Sequence, residues 1–206
     1  MLKKTKQLSL IVLIAILGGC AVFEGGKVPK TTFETYDLQG IQQPTLSYKS
    51  LAKGGISSVE ELPEAAQNLI EGELLEVLEE SQYFSRLSSD DETADIKIDV
   101  TMTNTGSSAA MIPAFITGLS LYTIPSWATD NFDVIATVES KNGQKKEYTL
   151  SDSTTLVQWL PMIFVYPMKG LDVIPEVRKN MYRNLLSKIK ADGFLDTGVN
   201  VITLNK

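Results

Sequence analysis

The clearest pattern in the chain is "ADIKIDVTMT" at residues 94–103. Ala94, Ile96, Ile98, Val100 and Met102 alternate with Asp95, Lys97, Asp99 and Thr101, the period of a strand with one buried face. Further on, "NFDVIATVES" and "KKEYTLS" flank Asn142-Gly143. Asn-Gly suits a two-residue type I′ turn, which needs positive φ at both central positions, so a hairpin is expected. Such a turn sets Glu139 opposite Lys146, Thr137 opposite Tyr148 and Ile135 opposite Leu150. "TLSYKSLA" at 45–52 reads as a first strand.

Helical spacing appears twice. Ala66, Leu69, Ile70, Leu74, Val77 and Leu78 mark one helix, with Ser57 or Ser58 as cap and Pro63 in the first turn. Its other side carries Glu64, Glu71, Glu73, Glu76, Glu79 and Glu80, read as a solvated face. A second helix is expected from about 171 to 192, with Ile174, Val177, Met181, Leu185 and Ile189 on one face and Gly193 as its stop. Its polar side holds Arg178, Lys179, Arg183, Lys188 and Lys190. One acidic and one basic helix are expected to lie side by side on one sheet face. The order of elements predicts an α+β fold: a small antiparallel-rich sheet, two amphipathic helices on one face and two proline-punctuated apolar inserts.

Those inserts lie within two uncharged stretches, 30 residues between Asp99 and Asp130 and 16 between Asp152 and Lys169. Pro113 and Pro125 punctuate the first, Pro161 and Pro167 the second. A helix between Pro113 and Pro125 spans roughly 16 Å, too short for about 30 Å of hydrocarbon. Neither stretch alternates as a membrane-barrel strand does. Two readings stay open. The inserts pack on each other and on the open sheet face as core, or they form an exposed apolar surface for a partner or the bilayer interface. Phe115, Leu119, Tyr122, Trp127, Trp159 and Phe164 are its candidate residues, and aromatic side chains near the segment ends (Tyr122, Trp127, Trp159, Tyr166) suit a membrane interface.

The start of the chain changes the picture. Lys3, Lys4 and Lys6 precede an apolar run at 8–17, the build of a secretory signal. The run ends in Leu17-Gly18-Gly19-Cys20, which resembles the lipobox of bacterial lipoproteins and contains the chain's one cysteine. The resemblance implies cleavage before Cys20, a thioether lipid on its sulfur and acylation of the new amino terminus. Ala21 and Val22, in place of an aspartate, imply the outer membrane in that class. The expected organisation is a signal peptide over 1–19, a lipid-anchored tether over 20–43 and a single α+β periplasmic domain over 44–206.

Removing residues 1–19 takes away three of the 19 basic residues and none of the 25 acidic ones, leaving 187 residues with a net charge of −9. That is enough chain for one cored domain. An acidic balance argues against nucleic acid as a partner. The chain has no histidine, which removes Ser-His-Asp and Cys-His catalysis and the usual zinc ligand sets. Ser50 and Lys53 match S-x-x-K without an accompanying K-T-G, and Asp90-Asp91-Glu92 lacks EF-hand spacing. No catalytic residue, metal site or cofactor is expected.

The chain as a whole resembles the small outer-membrane lipoproteins of Gram-negative bacteria. In addition, "LLEVLEESQYFSRL" leading into "ADIKIDVTM" resembles a helix-to-strand passage in the TolB amino-terminal domain and in the curli secretion channel lipoprotein. The channel's barrel-forming hairpins alternate in sequence, and the inserts here do not. The expected function is that of a non-enzymatic, periplasm-facing lipoprotein that binds or scaffolds an envelope component. Its expected partners are the outer membrane, through the Cys20 lipid, and an unidentified envelope protein. The alternative is a self-associating subunit of an envelope export or assembly complex that uses the apolar inserts.

Overall fold

The alternating run becomes a central strand of the sheet in a computed structural model, which describes residues 19–33 and 43–196. In chain order the elements are β1 (Cys20–Glu24), β2 (Thr45–Gly55), β3 (Glu60–Glu61), α1 (Glu64–Ser81), β4 (Arg86–Ser89), β5 (Ile96–Thr105), α2 (Met111–Leu119), β6 (Ser126–Ser140), β7 (Lys145–Gln158) and α3 (Val173–Ala191). The seven described strands form one sheet in the order β1-β7-β6-β5-β2-β3, with β4 beside β2. β2 runs parallel to β4 and β5, and every other described pairing is antiparallel. A parallel neighbour needs a crossover, and α1 lies on the connection from β2 to β5.

Pleating then sorts the side chains. Ile96, Ile98, Val100 and Met102 of β5, with Phe132, Val134, Ala136 and Val138 of β6, are buried in one core. Ile70, Leu74, Val77 and Leu78 of α1 and Val177, Met181, Leu185 and Ile189 of α3 close it. The two helices are neighbours, as the charge contrast predicted. Glu73 accepts two hydrogen bonds from Arg178, at 2.7 and 2.5 Å. Lys179 meets Glu76 at 3.1 Å and Arg183 meets Glu80 at 2.9 Å. Glu73 is thus buried rather than solvated, while Leu69, expected in the apolar set, is exposed. Nor does Ser57 or Ser58 cap α1: Pro63 stands at the cap position, and both serines precede β3.

The hairpin forms, but its register is one residue from the expected one. Ala136 faces Tyr148, Val134 faces Leu150 and Glu139 faces Lys145. Among the turn residues only Gly143 has positive φ, +90°, so the type I′ geometry is absent. Asn142 instead uses its side-chain oxygen to accept from the Ser140 hydroxyl and the Gln144 backbone. The loop takes three residues, 141–143, closed by Ser140 N–H donating to the Gln144 carbonyl at 2.9 Å. A one-residue slip exchanges sheet faces, and the observed register puts buried residues opposite buried residues, leaving Ile135 outward.

The expected tether over 20–43 is also corrected where it is described. Residues 20–24 are a strand paired with β7, from Cys20 opposite Gln158 to Glu24 opposite Thr154. Residues 25–33 continue along the domain. The buried Asp152 carboxylate accepts from the backbone N–H groups of Lys27, Val28 and Ser153. Asn180 and Asn184 donate to the Pro29 carbonyl at 3.0 and 2.8 Å. The expected signal segment 1–18 and tether residues 34–42 lie outside the described residues.

Candidate functional site

Both apolar inserts meet at one end of the sheet. Residues 126–130 of β6 run past the last pair with β5, Thr105 opposite Asn131, and stay paired with β7. β7 carries β1 on its other side, so β6, β7 and β1 form a projecting tongue. At its tip Ser126 lies opposite Gln158, and Gln158 opposite Cys20. The second insert is therefore partly strand, because 153–158 complete β7. The remainder is a 3-10 turn at Leu160–Phe164 and the loop leading to α3.

The first insert folds as a 3-10 turn, Ser108–Ala110, and the short α2. The helix stops well before Pro125, because Leu121 and Tyr122 both take left-handed backbone, φ 53° and 61°. Neither is glycine, so each conformation costs on the order of 1 kcal/mol or more and must be held from outside. Hydrogen bonds hold it. Tyr122 N–H donates to the Thr117 carbonyl at 2.9 Å, and Leu160 N–H donates to the Tyr122 carbonyl at 2.8 Å. Trp159 N–H donates to the Gly19 carbonyl at 2.8 Å. The Tyr122 ring lies so close to Gly19 that a Cβ there would sit 3.2 Å from it. The residue before Cys20 is thereby knitted to both inserts.

Their apolar side chains do not form core. Phe115 is 68 % exposed, Leu119 72 %, Trp127 67 %, Trp159 39 % and Phe164 82 %. Tyr122 is half-buried against Gly19. Among the described residues these side chains are exposed rather than packed on one another as core. The open sheet face that the inserts were to cover is polar, with Lys97, Asp99, Thr137 and Glu139 lining a hollow there. Ile56 and Val59, in the turn between β2 and β3, are exposed as well, and Ile56 lies beside Gly106 at the start of the first insert. Neither was singled out from the sequence; the signal was a lone apolar residue framed by Gly54-Gly55 and Ser57-Ser58. A hollow of about 380 Å³ between the start of α2 and β6 is lined by Ala109, Ala110, Pro113 and Trp127.

Cys20 opens β1 at the rim of this surface. Its thiol is held up by burial, with a partly offsetting hydrogen bond to the Gln158 side chain. Burial, the larger influence, disfavours the thiolate. The outer edge of β1 is closed by the chain leading to α3, since Val22 N–H donates to the Lys169 carbonyl at 2.8 Å. Charge begins one step back from the tip. The Glu24 carboxyl is held low by Lys30 and Lys169, and burial pushes the Asp130 carboxyl up.

The other sequence candidates resolve into structure. Ser50 and Lys53 both lie on β2, where residues three apart point to opposite faces and cannot act together. Asp90, Asp91 and Glu92 are ion-paired with Lys49, Arg86 and Lys97 respectively. Among the described residues no group of His, Cys, Asp and Glu is placed to hold a metal ion, and no helix is long and apolar enough to cross a membrane.

No family model matches the chain, and no curated protein matches it. Several solved structures are similar. A PelC dodecamer from Paraburkholderia phytofirmans is 9 % identical, with 82 % of this chain and 95 % of that one covered at a TM-score of 0.32. A DUF4136 family protein from Bacteroides thetaiotaomicron is 13 % identical, with coverages of 87 % and 99 % and a TM-score of 0.32. A neuraminyllactose-binding hemagglutinin homolog from Helicobacter pylori is 14 % identical, with coverages of 79 % and 92 % and a TM-score of 0.37. Likeness at this level assigns neither a family nor an activity to the chain.

Proposed function

We propose that this chain is a lipid-anchored binding or scaffolding protein of the bacterial outer membrane, facing the periplasm and without enzymatic activity. The observation that supports it most is the place of Cys20. The residue that the lipobox marks for lipid is the first of a strand at the apolar end of the molecule, beside Trp159 and across β7 from Ser126. An anchor there brings acyl chains to the part of the surface least suited to water. One chain binds a membrane only marginally and several bind it stably, so the full set of lipids would hold the domain for its lifetime.

The test is Cys20→Ser, expressed in a Gram-negative host with labelled palmitate. The parent is expected to incorporate label, lose residues 1–19 and fractionate with the outer membrane. The variant is expected to stay unlabelled and uncut. Label and processing unchanged in the variant would refute the anchor. The same exposed inserts also favour the second reading, a self-associating subunit of an export or assembly complex, and crosslinking in intact cells tells the two apart.

A further inference from the structure

We infer that the apolar end is a membrane-seating surface, whose occupant is the bilayer leaflet that carries the Cys20 lipid. This rests on the anchored reading above and adds that the protein surface itself enters the leaflet. Three observations carry it. The strand that starts at Cys20 packs beside the 3-10 turn of the second insert, and that insert is bonded to the first through Leu160 N–H and the Tyr122 carbonyl, so the anchor and the surface are continuous. Residues 100–129 and 153–168 contain no charge, so the surface can leave water without burying an ion. Trp127 and Trp159, the chain's two tryptophans, both lie on it, with Tyr122 between the inserts, and indole and phenol rings favour the headgroup boundary.

The molecule is polarised to match. At the other end of the β6–β7 hairpin stand Lys141, Lys145, Lys146, Glu139 and Asp192, with Lys146 paired to Asp192 at 2.7 Å. A strand rises about 3.4 Å per residue, which puts that charged end about 45 Å from the tip. A second copy of the chain would also cover an apolar patch. The anchor favours the leaflet, because lipid chains on Cys20 would occupy the ground on which a second copy would have to sit.

Because both tryptophans lie on the surface, their emission reports its surroundings directly. The full lipidated chain is placed in phosphatidylethanolamine–phosphatidylglycerol vesicles, at a density that leaves most vesicles with a single copy. The lipids carry bromine at shallow acyl positions. The expected result is blue-shifted emission, quenched several-fold relative to unbrominated vesicles. Phe115→Asp with Leu119→Asp is expected to keep its circular dichroism, since neither side chain is buried, and to lose most of the quenching. Phe164→Asp makes the same test from the second insert. Mass spectrometry of the same samples reads the lipid on Cys20. Lipid present with unquenched tryptophans overturns the inference and leaves the anchor standing. Quenching that disappears at single-copy density, with crosslinked pairs at high density, makes a second copy the occupant and also overturns it. Absence of lipid overturns the anchored reading, and the seating with it.

Discussion

Glu73 and Arg178 offer the sharpest test of the helical layer. Their side chains are each only 10 % exposed, and the two bonds at 2.7 and 2.5 Å are the forked geometry of a guanidinium on a carboxylate. The guanidinium carbon also lies 5.7 Å from the centre of the Phe132 ring, a side chain that is itself fully buried. Removing one partner strands the other as a buried ion, which costs about 3–5 kcal/mol. Replacing both with apolar groups of similar volume removes the charge problem and is often neutral or stabilising. Glu73→Leu and Arg178→Met are therefore each expected to lose about 3–5 kcal/mol, and the double variant far less than either. For a chain of this size, about 2–4 °C per kcal/mol converts each single loss to roughly 6–20 °C in Tm. Urea unfolding of the lipidated protein in detergent, followed by circular dichroism, gives all corners of the double-mutant cycle. A single variant within about 1 kcal/mol of the parent, or a double variant that loses the sum of the singles, would refute the reasoning. The outer pairs, Lys179 with Glu76 and Arg183 with Glu80, have exposed carboxylates and are expected to contribute only about 0–1 kcal/mol each.

Two further outcomes can be checked with the same assay. Asp95 accepts from the Thr45 N–H at 2.9 Å and its hydroxyl at 2.8 Å, bonds that hold its carboxyl below the ordinary range. A carboxyl lowered in the folded state contributes stability that is present above its unfolded value, about 3.9, and is lost as pH falls through the folded value. Acidification below about pH 4 is thus expected to lower the urea midpoint of the parent more than that of Asp95→Asn, and equal acid slopes would contradict this. The Tyr182 hydroxyl is buried without a protein partner among the described residues, and burial raises its pKa far above the ordinary phenol value. Tyr182→Phe is expected to leave stability unchanged or raise it by up to about 1 kcal/mol, and a loss larger than that would show the hydroxyl to be bonded.

What the sequence revealed follows how local each determinant is. Alternation in β5 and helical spacing in α1 and α3 depend on neighbours in the chain, and all three elements formed where expected. The helix pairing was legible because opposite charge on two faces is itself a contact preference. The burial of Glu73 was not, since nothing local separates it from Glu76 or Glu80; only the position of Arg178 and Phe132 does. Register failed at Asn142, whose side chain closes the turn in place of a left-handed backbone. β1 was missed because five residues carry too little pattern, and what holds them, the β7 backbone and the Lys169 carbonyl, lies far along the chain. Phe115, Leu119, Trp127, Trp159 and Phe164 are exposed and Tyr122 is half-buried, a division that composition does not make because it does not separate core from surface. Two left-handed residues that are not glycine, Leu121 and Tyr122, helped decide that, and no sequence rule marks them.

The loss of the expected tether alters what anchoring at Cys20 would mean. A flexible linker over 20–43 would let a domain wander about 25–30 Å from its lipid. With residues 20–24 in the sheet there is no such slack: β7 pairs with one edge of β1, and the Lys169 carbonyl bonds to the other. Lifting the domain would require peeling β1 from the sheet and withdrawing Ala21 and Val22, both fully buried, from their packing. The lipid on Cys20 would then set orientation as well as location. The β6–β7 hairpin would stand away from the leaflet, with the Asn142-Gly143 turn at its far end. An acidic domain gains from that arrangement, because anionic headgroups repel its net charge and the end nearest them is the end without charges.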